Sequence, residues 1–214
     1  SKILFMPALD QARQWYSSAD PVHDFNHITR VYRLAERIGQ AEGADLEVLR
    51  AAVLLHDAAD ARPDGDSDRP AHHLTSADFA RAVLTAEGWP EGGIDAVLHC
   101  IRAHRFRGAE APETLEAKIL FDADKLDVLG AIGVARAFAY AALAGQPLTG
   151  DPSDSFKTKF EKESGEPHTP YHEFLFKLSR VQFYTDTAQQ MAASRRQYMA
   201  EFFERLALEE KGEE

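Results

Sequence analysis

The chain has 214 residues, 44% hydrophobic and 28% charged, with a formal net charge of −11 at neutral pH. That length suits one domain whose core needs no disulfide staples, the composition argues against disorder over most of the chain, and the negative field works against nucleic acid as a partner. A single cysteine, Cys100, no charge-free apolar stretch of spanning length and no basic-then-apolar pattern over 1–10 point to a reducing, cytoplasmic setting without a membrane partner.

Apolar residues recur at helical spacing almost throughout and no period-2 strand is visible, so the expectation is an all-α chain of eight or nine helices with short connections. The first helix of consequence covers about 24–40, with His27, Val31, Leu34, Ala35 and Ile38 on one face, so His27 points inward. The next, about 45–59, is apolar until it ends in His56-Asp57-Ala58-Ala59-Asp60, before a turn-rich segment over 62–70. Helices follow at about 76–87, 93–104 and 113–128. Residues 129–144 carry Arg136 as their only charge and predict a helix buried on most sides. A Gly-, Pro- and Ser-containing loop over 145–169 has the length of a lid or mobile segment. Helices at about 170–180 and 185–208 precede an acidic tail.

The chemistry concentrates where polar residues interrupt these apolar faces. A carboxylate set against the run Val53-Leu54-Leu55 costs several kcal/mol unless a cation compensates it, and a divalent metal does so efficiently. His56 and Asp57 project about 100° apart and reach one ion over a helix edge, with His27 and Asp124 the best suppliers of further ligands. Asp124 lies on a face continued by Ala117, Leu120, Val128 and Ala131, whereas Asp122 and Asp127 point elsewhere, Asp127 as a possible support behind the ligands. Taken singly, a core histidine is usually satisfied by ordinary hydrogen bonds and a helix-terminal Asp by capping; three inward ionisable sites together favour a metal. The alternating Asp64, Asp66 and Asp68 suggest a calcium loop, but Arg69 and Thr75 occupy positions that need glycine and glutamate.

The pattern His27, His56-Asp57, Asp124 resembles the H…HD…D signature of the HD-domain metal-dependent phosphohydrolases. The segments His23-Asp24-Phe25-Asn26-His27-Ile28-Thr29-Arg30-Val31 and Asp122-Ala123-Asp124-Lys125-Leu126-Asp127 through Gly133 are similar to a compact bacterial subgroup, over roughly 20–140. The resemblance implies a single-domain HD helical bundle over 1–214, with a metal site among its helices. It implies hydrolysis of a small phosphorylated molecule, a nucleotide or deoxynucleotide cut from triphosphate to monophosphate plus pyrophosphate. Phosphomonoesterase or signalling-nucleotide hydrolase activity is the alternative within the class. A regulatory module that binds metal and nucleotide without turnover is the alternative outside it.

The mixed nitrogen and carboxylate donor set suits one divalent ion, Mn²⁺ or Mg²⁺ first, with Fe²⁺, Co²⁺, Ni²⁺ or Zn²⁺ also compatible. Asp60, three residues after Asp57, is the expected base or water-positioning group alongside Asp57, against the reading of a solvated C-terminal Asp. Lys125 and Arg136, with Tyr140 one turn on, are expected to receive the phosphate, or else to neutralise Asp122 and Asp127. His23 and His104 are expected hydrogen-bond donors to phosphate, His99 a packed residue, and Arg102, Arg105 and Arg107 a solvated cluster. The chain is expected to work as a monomer or homodimer.

Overall fold

The structure, a computed structural model, describes residues 8–16, 25–58, 72–105 and 110–213. These residues form α-helices joined by turns and loops, with no strand among them. In chain order they are α1 (Leu9–Ala12), a 3-10 turn (Arg13–Trp15), α2 (Phe25–Glu42), α3 (Leu46–Leu55), α4 (His72–Ala86) and α5 (Glu91–Ala103). There follow α6 (Leu115–Leu126), α7 (Gly130–Leu143), α8 (Asp154–Lys159), α9 (Pro170–Phe176), a second 3-10 turn (Leu178–Arg180) and α10 (Asp186–Lys211). No single described helix is long and apolar enough to cross a membrane.

Two compact units emerge. One comprises the described parts of Ser1–Asp124 with Phe183–Ala188; the other comprises Lys125–Gln182 with the described part of Gln189–Glu214.

In the first unit α3 is the central rod. Asp45 caps it by accepting hydrogen bonds from the Glu47 and Val48 amides at 2.9 and 3.2 Å, which supplies partners for two orphan N–H groups. Every residue from Ala51 to Leu55 is buried, so this helix is covered all round. Helix α2 turns Phe25, His27, Ile28, Val31, Leu34, Ala35 and Ile38 inward, the face expected from their spacing. Gly39 permits close approach of α2 to α3, since a Cβ there would stand 2.7 Å from Leu49 Cδ2. Helix α5 packs on both α3 and α4. Asp122 of α6 is wholly buried and accepts three hydrogen bonds, from the Tyr184 amide, the Thr185 amide and the Thr185 hydroxyl, at 2.7–2.9 Å.

In the second unit Phe203 of α10 is fully buried, stacked with Tyr171, Phe174 and Phe138 at centroid distances of 5.1, 5.3 and 6.2 Å. Helix α7 departs from expectation. Ala131, Ile132, Ala135, Tyr140, Ala142 and Leu143 are exposed, and only one side, through Val134, Ala137 and Ala141, is buried. Its lack of charge reflects small side chains, which lose little by meeting water, rather than burial on most sides. The 145–169 segment contains α8, capped by Ser153, and Glu166 ties that cap to α9 through His172. Helix α10 runs past the expected boundary, extended by an Arg205–Glu209 ion pair one turn apart at 2.8 Å.

Candidate metal centre

The site is built inside the first unit from the ends of four helices. Helix α2 contributes His27 from its first turn. Helix α3 stops at Leu55, and the turn that follows carries His56 and Asp57. His104 caps the end of α5, and α6 contributes Asp124.

His27 Nε2 stands 3.3 Å from Asp124 Oδ1 and 3.9 Å from Asp57 Oδ2. His56 Nε2 is 3.4 Å from the same Asp57 oxygen. The other carboxylate oxygen, Oδ1, faces His104 Nε2 at 3.6 Å. The three imidazoles lie edge to face in sequence, His27 to His56 at 5.9 Å and His56 to His104 at 5.1 Å between centroids. His27, His56 and His104 are buried, and Asp57 and Asp124 are nearly so, with side chains 16% and 15% exposed.

Backbone carbonyls fix two of the imidazoles. His56 Nδ1–H donates to the Val53 carbonyl at 2.8 Å, and His104 Nδ1–H donates to the Ile101 carbonyl at 2.5 Å. With Nδ1–H engaged in this way, Nε2 is the ring atom turned toward Asp57 and available as a ligand, the arrangement in which a metal-ligating histidine is oriented by its other nitrogen. His56 Nε2 is buried and makes no hydrogen bond. Burial pushes the Asp57 carboxyl up, but the neighbouring His56, His104 and His27 outweigh it, even against repulsion from Asp124, and bring Asp57 down to about 2. The carboxylate is thus anionic at any ordinary pH.

These residues fit a divalent ion. Donors about 2.1 Å from one ion stand about 3.0 Å apart at a right angle and about 3.4 Å apart at a tetrahedral angle. The separations of 3.3 Å for His27–Asp124 and 3.4 Å for His56–Asp57 lie in that range, the 3.9 Å for His27–Asp57 corresponds to a wider ligand angle, and all three are too long for strong hydrogen bonds. His27, His56 and Asp57 each offer a ligand atom within 4.8 Å of the others, and Asp124 adjoins this group through His27.

The structure therefore brings together His27, His56, Asp57, Asp124 and His104. His23 and Asp60 lie outside the described residues. Lys125 is half-buried near the end of α6, Tyr140 is exposed on α7, and Arg136 Nη1 donates to the buried Asp127 carboxylate at 3.0 Å. His99 is held by polar groups: its Nε2 accepts from the Glu113 amide at 3.1 Å, which leaves Nδ1–H to donate to Glu110 at 2.6 Å. Arg102 donates to the same Glu110 carboxylate at 2.7 Å.

One participant had no signal in the sequence. Tyr16, just beyond the first 3-10 turn, donates its hydroxyl to the Leu54 carbonyl at 2.9 Å, 38 positions along the chain. Nothing in Gln14-Trp15-Tyr16 sets that contact apart from ordinary packing.

Comparison with known proteins agrees with the geometry. The HD domain model matches residues 24–129, which span all five residues of the cluster. The Bacillus subtilis protein YpgQ is 33% identical over 92% of this chain and 91% of its own length. The chain belongs to the HD-domain family. Among solved structures, that of B. subtilis YpgQ in complex with ADP is 32% identical, covers 92% of both chains and superposes with a TM-score of 0.68. A predicted HD superfamily hydrolase from an uncultured Thermotogales bacterium is 29% identical over 94% of this chain and 90% of that one, with a TM-score of 0.65. An HD-superfamily hydrolase from Bacillus thuringiensis is 28% identical over 95% and 93% of the two chains, with a TM-score of 0.68.

Proposed function

We propose that this HD-domain protein is a metal-dependent phosphohydrolase acting on a small phosphorylated molecule, a nucleotide or deoxynucleotide cleaved from triphosphate to monophosphate and pyrophosphate. The observation that carries the proposal is His56. Its ring is pinned through Nδ1 and presents a buried, unpartnered Nε2 beside an anionic carboxylate, which suits an ion and little else. His27, His56, Asp57 and Asp124 would hold that ion. When bound, a divalent cation supplies Lewis-acid polarisation of a phosphoryl oxygen and acidifies water.

The protein's own groups do the rest. Asp57 stays ionised and shares its two oxygens between the His27–His56 side and His104. Burial of the imidazoles keeps bulk water from competing for the donors. Asp60 is the proposed base, and Lys125, Arg136, His23, His104 and Tyr140 form the proposed substrate-contacting set. The ADP complex of YpgQ supports a nucleotide as the ligand class.

The test is a panel of nucleoside mono-, di- and triphosphates assayed with Mn²⁺, Mg²⁺ and Co²⁺, with products read by phosphorus NMR. Pyrophosphate from a triphosphate is expected; orthophosphate would point to the phosphomonoesterase alternative. Asp57→Ala should abolish turnover while the far-UV spectrum is kept. Undiminished turnover in that variant would refute the reading, and nucleotide binding without turnover in the parent would favour the regulatory module.

A further inference from the structure

Helix α3 does not simply end at the metal centre; its hydrogen-bond ladder is opened there by side chains. The Val53 carbonyl accepts from the His56 ring, and the Ala58 amide turns back to the Leu55 carbonyl at 3.3 Å. In a continuing α-helix Ala58 would instead have served Leu54 and Asp57 would have served Val53. The Leu54 carbonyl and the Asp57 amide are therefore the backbone groups displaced from the ladder. The Tyr16 hydroxyl takes the first of these, donating to the Leu54 carbonyl at 2.9 Å.

The ring that carries this hydroxyl is itself held. Tyr16 and Trp15 pack on the buried cluster of Ala12, Phe25, Ile28 and Leu54, and the Tyr16 and Phe25 rings lie 5.6 Å apart. Phe25 stands two residues before His27 on α2. One side chain thus touches the start of the helix that carries His27 and the broken end of the helix that carries His56 and Asp57.

We propose that Tyr16 is a positioning residue for the metal centre. Its hydroxyl replaces the helical hydrogen bond missing at the Leu54 carbonyl and so holds the turn that carries Asp57 at the angle from which one carboxylate oxygen meets His27 and His56 and the other meets His104. Without the hydroxyl, the Leu54–Asp57 step is free to relax toward a regular helical turn, which rotates the carboxylate away from His27. The proposal rests on the reading of His27, His56, Asp57 and Asp124 as a divalent metal site.

The experiment compares the full chain with Tyr16→Phe, which keeps the ring and removes only the hydroxyl, with Tyr32→Phe as a control, since Tyr32 packs on the same buried cluster, and with Asp57→Ala. Mn²⁺ affinity is measured by titration calorimetry and ligand geometry by the visible spectrum of the Co²⁺ form. Tyr16→Phe is expected to weaken Mn²⁺ binding about 10- to 100-fold, the cost of losing a group that orients a ligand, and to shift the Co²⁺ bands. Tyr32→Phe should do neither. Parent-like affinity and spectrum in Tyr16→Phe, with binding still abolished by Asp57→Ala, would overturn the role of Tyr16 alone. A parent that binds no Mn²⁺ would overturn the metal reading and this proposal together. Should Tyr16→Phe not fold, proton NMR on the parent decides: the Tyr16 hydroxyl proton, held by the Leu54 carbonyl, should exchange slowly with solvent, and free exchange there would sink the proposal.

Discussion

Two nitrogens of one imidazole divide the work at His56: Nδ1 repairs the frayed end of α3 through the Val53 carbonyl, and this turns Nε2 to the interior, buried and without a hydrogen bond. His104 repeats the device at the end of α5 with the Ile101 carbonyl. A helix end is where a carbonyl is spare, so placing these histidines at helix ends both satisfies the backbone and fixes the tautomer. Asp122, two residues from Asp124 on α6, shows the opposite use of a carboxylate. It is spent wholly on the protein, and burial raises its pKa against the pull of the Tyr184 and Thr185 donors. Asp122→Ala would leave buried donors unpaired at about 1–3 kcal/mol each, so a loss of about 3 kcal/mol is expected in urea unfolding. A loss below about 1 kcal/mol would contradict this account.

At the scale of elements, Glu166 organises the segment that sequence composition marks as a long loop. Its carboxylate accepts from the Ser153 amide and hydroxyl and from the Glu163 amide, at 2.7–2.9 Å. The Thr169 amide donates to His172 Nδ1, so His172 Nε2–H donates to Glu166 at 2.8 Å. The Ser153 amide is the main cause that holds the Glu166 carboxyl down at about 2, below its ordinary 4.5. A carboxyl lowered on folding stabilises the fold above its unfolded pKa and loses that contribution as the pH falls through the folded one. The 150–166 segment should therefore keep its amide protection at pH 6 and lose it progressively between about pH 4.5 and 2, read as protection factors at Ser153 and Glu163. Glu166→Gln should lower that protection already at pH 6. Protection that is flat across this range would show that the segment is held by other means.

At the scale of the molecule, each unit closes on its own core, and glycine marks where backbones come closest. In the second unit Gly133 of α7 faces the Val128 carbonyl so closely that an added Cβ would overlap it and would also stand 3.3 Å from Met199 Sδ. Neither contact is the far end of a flexible side chain lying in open space, so the turn between α6 and α7 must shift. Gly133→Ala is expected to lower the midpoint of thermal unfolding by at least several degrees, from about 1–3 kcal/mol of overpacking. An unchanged midpoint would mean that the 128–133 turn yields to the added methyl group without cost. Gly130, at φ 75° beside the Arg195 stem, begins the same helix in the left-handed region that favours glycine.

The sequence by itself determined the helical class, the inward face of α2 and the gathering of His27, His56, Asp57 and Asp124. Helical periodicity is local, and a polar residue on an apolar stripe is visible without knowing what it meets. It misread α7, because apolar composition does not distinguish a buried helix from one whose small side chains lie in water. Tertiary structure alone decided what each polar group touches. The Val53 and Ile101 carbonyls fix the histidine tautomers, Asp122 is consumed by Thr185, Arg136 is drawn to Asp127, and Tyr16 reaches the broken end of α3 across 38 positions. Such contacts depend on where a ladder breaks and which chain segment passes by, and no spacing within a single helix encodes either.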